Sequence, residues 1–129
     1  MSFGTRNIWR GRTRISVSDV LRTITDMLDD PGLGAGIRHV DDCLASYFGR
    51  RDRDDDSLVE YADRIGNGAA FKRLGFLAEH RSGTSALVEA CRRRLTKGNA
   101  KLDPALACPR LVTRWRLFVP ESWVTATPA

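Results

Sequence analysis

Arg110-Leu111-Val112-Thr113-Arg114-Trp115-Arg116-Leu117-Phe118-Val119 carries the best strand signal in the chain, an alternation with a period of two. Val112, Arg114, Arg116 and Phe118 share one side of such a strand. Thr113, Trp115, Leu117 and Val119 share the other, which is predicted to be buried. Just upstream, Lys97-Gly98-Asn99 interrupts a helical pattern, and Ala100 to Asp103 reads as a short extended piece closed by Pro104.

Further upstream the period is helical. Leu87, Val88, Cys91 and Leu95 predict a helix over 85–95, with Arg92, Arg93 and Arg94 in its last turn, where they complement the helix dipole. Ala70, Phe71, Leu74, Leu77 and Ala78 predict the inner stripe of a helix over 69–80, which puts Lys72 and Arg73 on its outer face. Gly75 on that helix suits the close approach of a neighbour. Ser57-x-x-Glu60 reads as a capping box for a short helix closed by Gly66-Asn67-Gly68. Two earlier helices follow from Val20, Leu21, Ile24, Met27 and Leu28 with Ser18 as cap, and from Ile37, Val40, Leu44 and Tyr47/Phe48. The stretch 7–17 reads as two short strands about Gly11, because Arg12, Arg14 and Ser16 alternate with Thr13, Ile15 and Val17. Strands at both ends around helices give an α+β class. The expected architecture is about five helices on one face of a small sheet formed by N-terminal and C-terminal strands. Residues 1–120 form the expected domain and 121–129 a frayed tail, with Trp123 as a docking residue.

A chain of 129 residues supports one domain with one core. No apolar run approaches the ~20 residues of a membrane span, so no membrane partner and a cytoplasmic address are expected. Cys43, Cys91 and Cys108 are odd in number and widely spaced, which predicts free thiols. Charge is segmented. Residues 1–25 hold five Arg against Asp19, 26–64 hold five Arg against eleven acids, and 65–120 hold eleven Lys or Arg against Glu79, Glu89 and Asp103. Two readings stand side by side: a surface for nucleic acid or an acidic protein, and a solvated surface whose arginine stems cover apolar neighbours. On the first, the contact residues are Lys72, Arg73, Arg92, Arg93, Arg94, Lys97, Arg114 and Arg116. No aromatic interleaving of the kind that stacks bases accompanies them.

Motifs for catalysis and cofactors are weak. Gly32-x-Gly34-x-Gly36 follows a helix rather than a strand, unlike a phosphate-binding loop. Asp52-x-Asp54-x-Asp56 lacks the glycine and the bidentate glutamate of a calcium loop, having Ser57 and Asp63 there. His39 and Cys43 share a helix face at ligand spacing, with no third or fourth ligand. His80 sits near a helix end beside Arg81 and suits a dipole contact. No catalytic residue, metal or cofactor is expected. A deep pocket lined by His39 or His80 with carboxylates would reverse that reading.

Several stretches in order resemble the C-terminal domain of the AbiEi family of antitoxins from type IV, abortive-infection toxin–antitoxin systems. They are Val17-Ser18-Asp19-x-x-Arg22-Thr23-x-x-Asp26, Leu58-x-x-Tyr61-Ala62-x-x-Ile65-Gly66-Asn67-x-Ala69, Phe71-Lys72-Arg73-Leu74-Gly75-Phe76-Leu77, Lys101-Leu102-Asp103-Pro104 and Arg114-Trp115-Arg116-Leu117. They span about residues 7–119. The resemblance implies a non-enzymatic antitoxin that opposes a nucleotidyltransferase-like toxin without a stable complex. Family members also repress their own operon through a preceding winged-helix domain, and Val17 comes too early to leave room for one. The chain is thus expected to match the C-terminal domain alone, with at most weak binding to duplex DNA. Gly66-Asn67, Trp115 and Asp103-Pro104 read as structural within these motifs.

Overall fold

The computed structural model describes residues 8–9, 12–13, 16–34, 36–83 and 85–125. β1 (Ile8–Trp9) and β2 (Arg12–Thr13) form an antiparallel ribbon of two short strands as expected, but Val17, counted in the alternation, opens a helix instead. The alternation through Arg14 and Ile15, the turn at Gly11 and the tail beyond 125 lie outside the described residues.

α1 (Val17–Asp29) is capped two residues earlier than predicted. Ser16, not Ser18, is the N-cap, and its hydroxyl oxygen accepts from the Asp19 N–H at 3.3 Å. A 3-10 turn (Pro31–Gly34) leads into α2 (Ile37–Phe48), whose first N–H donates to the Asp103 carboxylate at 3.0 Å. That carboxylate arrives from far along the chain and does the work of a cap that Gly36 has no side chain to do. In α3 (Asp55–Ile65) the cap is Asp54, which accepts from the Ser57 N–H at 3.1 Å. The predicted capping box is thus displaced by three residues: Ser57 serves as the inner partner, and Asp55 and Asp56 form the first helical turn. Gly66 closes α3 at φ +72°, the left-handed conformation expected of it. Asn67 then caps α4 (Gly68–Ser82) through the Ala69 N–H. α5 (Ala86–Arg92) begins after Ser85, which accepts from the Val88 N–H.

α4 is the central helix. It packs on α1, α2, α5 and the strand β3 (Ala100–Lys101), and every residue from Phe71 to Ala78 is buried. The expected inner stripe is inside as predicted. The expected outer face does not exist, because neighbours surround the helix on all sides. Lys72 and Arg73 are 3% and 5% exposed, a correction to their assignment as surface contacts.

The run Arg110–Val119 is not one strand. β4 (Arg110–Val112) and β5 (Leu117–Val119) form a hairpin around Thr113-Arg114-Trp115-Arg116. The Trp115 N–H donates to Val112 O and the Arg116 N–H to Thr113 O, which folds the turn back on itself. Its last residue, Arg116, holds φ +53°, a left-handed position normally given to Gly or Asn. The physical reason for the break is Trp115. The fully buried indole at the turn packs against the flank of Gly75 on α4, a contact that the turn makes possible.

The sheet has the order β3-β5-β4, with β3 parallel and β4 antiparallel to β5. The class is α+β, helices with a small sheet, as expected. The N-terminal ribbon, however, pairs with itself and contributes no strand to this sheet. After Pro120 the chain forms α6 (Glu121–Thr125) where a frayed tail was expected, and Trp123 docks against Phe76 and His80 at ring-centroid distances of 6.2 and 5.7 Å. His80 also stacks on Phe76, so an aromatic contact holds it rather than the helix dipole alone.

Candidate anion-binding cleft

The hairpin turn is fastened to α4 and α5 by its own side chains. Trp115 Nε1 donates to Glu79 Oε1 at 2.7 Å, and Arg114 Nε donates to both Glu79 oxygens at 2.8 and 3.0 Å. From α5, the Arg92 guanidinium donates to Arg114 O and lies 5.6 Å from the Trp115 ring centroid; Arg114 lies 5.8 Å from it. Both distances are within cation–π range. Arg116 Nη1 donates to Thr96 O at 2.9 Å. Each guanidinium is therefore aimed by one backbone or carboxylate contact. Five N–H groups belong to each arginine, so most remain without an acceptor among the described residues.

These anchors bring Arg92, Arg114 and Arg116 to one cleft of about 480 Å³, completed by Leu95 and Thr113. The acid in reach is Glu79, ion-paired to Arg114. Behind Arg116 stands Lys72, whose Nζ donates to Gly98 O at 3.0 Å. Burial pulls the Lys72 pKa down, and the positive charge of Arg116 adds to that shift.

Of the eight basic residues expected to form a contact surface, these three converge. α5 ends at Arg92 rather than at the expected residue 95, so Arg93 is its C-cap and Lys97 lies in the bend beyond; both are exposed and have no carboxylate partner among the described residues. Arg94 pairs with Asp63 at 3.1 Å, so the acidic middle segment neutralises it. Arg81 meets Asp41 in the same way at 2.7 Å. Lys72 and Arg73 are interior. Arg73 donates to Leu28 O at 2.7 Å, Asp29 O at 3.1 Å and Lys101 O at 2.9 Å, closing the C-terminus of α1 and tying it to β3. Its burial lowers the guanidinium pKa, and Asp29, Asp103 and Asp30 oppose that shift. Sequence reasoning missed Thr113, Leu95 and the anchoring role of Glu79. Only the acid's isolation within a basic segment marked it in advance.

A larger groove of about 700 Å³ lies between α1 and α2, lined in part by Val20, Ile24, His39, Asp42, Cys43 and Tyr47. It is an open groove rather than the deep pocket that would signal catalysis, although Asp19 and Asp42 line it together with His39, and Cys43 Sγ lies 3.6 Å from His39 Nε2. The thiol's pKa is raised, first by burial and then by Asp42, which is opposite to what a thiolate nucleophile requires. All three cysteines are free, as their spacing predicts. Among the described residues, no group of three His, Cys, Asp or Glu side chains stands close enough to hold a metal ion, and no helix is long and apolar enough to cross a membrane.

Comparison with protein-family models, curated proteins and solved structures finds no match for this chain.

Proposed function

We propose that the chain is an antitoxin-type regulatory domain that works in the cytoplasm, opposes a nucleotidyltransferase-like toxin, and does so without catalysis or a lasting complex. One observation carries this reading. The residues behind the AbiEi resemblance are far apart in sequence, yet they act on one framework. Gly75 receives Trp115, Asp103 caps α2, Arg73 closes α1, and Asn67 joins the end of α1 to the start of α4 through Asp29 O at 3.4 Å. An ordered motif set whose members depend on one another for packing supports a shared fold better than the same residues scattered would. Co-expression tests the reading: the folded chain is expected to relieve growth arrest by a cognate toxin. Arrest that persists at full expression of folded chain contradicts it.

A second reading, an accessory DNA-binding or repressor module of the same operon, draws on Arg93 and Lys97, exposed beside the cleft without carboxylate partners among the described residues. It expects affinity for duplex DNA that falls steeply between low and physiological salt. Absence of binding at low salt removes it.

A further inference from the structure

The cleft between the hairpin turn and the end of α5 has more order than a solvated basic surface needs. Exposed arginines on a merely soluble surface sample many rotamers and keep apart from like charges. Here Arg92 and Arg116 are each held by a backbone carbonyl, Arg114 is held by Glu79, and all three face the same space. Arg116 also keeps a left-handed backbone, φ +53°, which costs a residue with a Cβ and which Gly or Asn would adopt more readily. Like charges held together by fixed contacts favour an anion that offsets their repulsion.

We propose that Arg92, Thr113, Arg114 and Arg116 form a binding site for the phosphate chain of a free nucleotide, a compact di- or triphosphate. Guanidinium forks match phosphate oxygens two at a time, and the unengaged N–H groups of three arginines suffice for two phosphoryl groups. Thr113, a residue with a neutral hydroxyl, lines the same groove. The cleft is an open groove with room for a phosphate chain, about 480 Å³, and Leu95 offers an apolar wall to the nucleoside. Two features favour a mononucleotide over a polymer. The charges converge on one cleft rather than tracking a path, and the indole beside it, Trp115, is fully buried and unable to stack a splayed base. The proposal stands apart from the antitoxin reading, since it depends on the cleft alone.

Calorimetric titration of the whole chain at low salt with pyrophosphate, ATP and a short DNA duplex tests it. Saturable one-to-one binding of pyrophosphate and ATP is expected, with dissociation constants of roughly 10–100 μM. Arg116→Asn relieves the backbone and Arg92→Gln spares the core. Each gives up one anchoring bond, to Arg114 O or Thr96 O, so each is expected to lower the melting temperature by only a few degrees while weakening ATP about tenfold, the loss of one charged hydrogen-bonding partner. No saturable binding of either phosphate compound overturns the proposal, as does binding that both variants leave unchanged. Duplex binding that pyrophosphate fails to displace assigns the face to a polymer and also overturns it. A chain that binds ATP yet fails to relieve a toxin keeps this site and contradicts only the antitoxin reading.

Discussion

Trp115 lies so close against Gly75 that a methyl group placed on the glycine would overlap the indole ring. The ring has nowhere to go. It is fully buried, and its Nε1 donates to Glu79 one helical turn further along α4. This contact converts a would-be strand into a hairpin and sets where the arginines on either side of it emerge.

Gly75→Ala measures the contact through its sign. In an exposed helix interior the change stabilises by about 1 kcal/mol. Here overpacking is expected to reverse that and cost about 1–3 kcal/mol in urea unfolding. A variant more stable than the parent would show that the ring is free to shift.

Glu79 serves two partners of unequal weight. Its pair with the half-exposed Arg114 is worth under about 1 kcal/mol. The indole N–H is the larger stake, because Glu79→Ala leaves a donor on a buried ring unpaired at about 1–3 kcal/mol. Glu79→Gln retains an acceptor and is expected to lose less than Glu79→Ala. Crossed with Trp115→Phe in a double-mutant cycle, Glu79→Ala should show a coupling of about 1 kcal/mol. A coupling of zero contradicts the hydrogen bond.

The neighbours Lys72 and Arg73 are expected to respond very differently. Arg73 reaches three carbonyls on two separate elements with two nitrogens, a span that one ammonium cannot cover. Arg73→Lys is expected to lose about 2–4 kcal/mol by thermal or chemical unfolding. Lys72 makes one hydrogen bond, in an environment that already disfavours its charge. Lys72→Met should cost less than about 1 kcal/mol, or stabilise. Equal losses at the two positions contradict this division.

Alkaline pH tests Cys91, which acts with the same sign as Tyr47 and Cys43, whose folded-state pKa values burial also raises. An ordinary thiol here ionises near 9.0, and burial pushes the folded-state value up to about 12. Between those values the unfolded chain has lost the proton that the folded chain keeps, so stability falls as pH rises, by up to about 1.4 kcal/mol per pH unit. Lys72 acts with the opposite sign, because its folded pKa lies below the ordinary 10.5. The comparison is therefore the parent against Cys91→Ala, whose unfolding curve should flatten above pH 9. Identical slopes would place the thiol in contact with water.

Much of the fold was legible because local rules and packing agreed. Gly66 closes a helix in the conformation only its lack of a side chain makes easy, and Leu74 and Leu77 point inward as their spacing requires. Legibility failed where tertiary packing overrode local rules. Thr113 to Arg116 holds no Gly, Asn or Pro, and its alternation continues unbroken, so nothing local announces a turn that Trp115 imposes from the core. Lys72 and Arg73 look solvent-facing only if α4 has a solvent face. Phe76 opposite Leu74, with Gly75 between them, was the available sign that it has none. The site was legible as a tally of arginines and not as a place. Which charges remain after Asp63 and Asp41 take theirs depends on contacts across the whole chain.

Hydrogen exchange at the Trp115 indole N–H, followed by NMR in the intact chain at neutral pH, tests most directly whether the turn is locked onto α4 with its arginines held in place. The contact with Glu79 and the complete burial of the ring predict exchange slowed to the rate of global unfolding, with Gly75→Ala accelerating it. Exchange as fast as that of an indole open to solvent would mean that the hairpin swings free and that the three arginines share no fixed cleft.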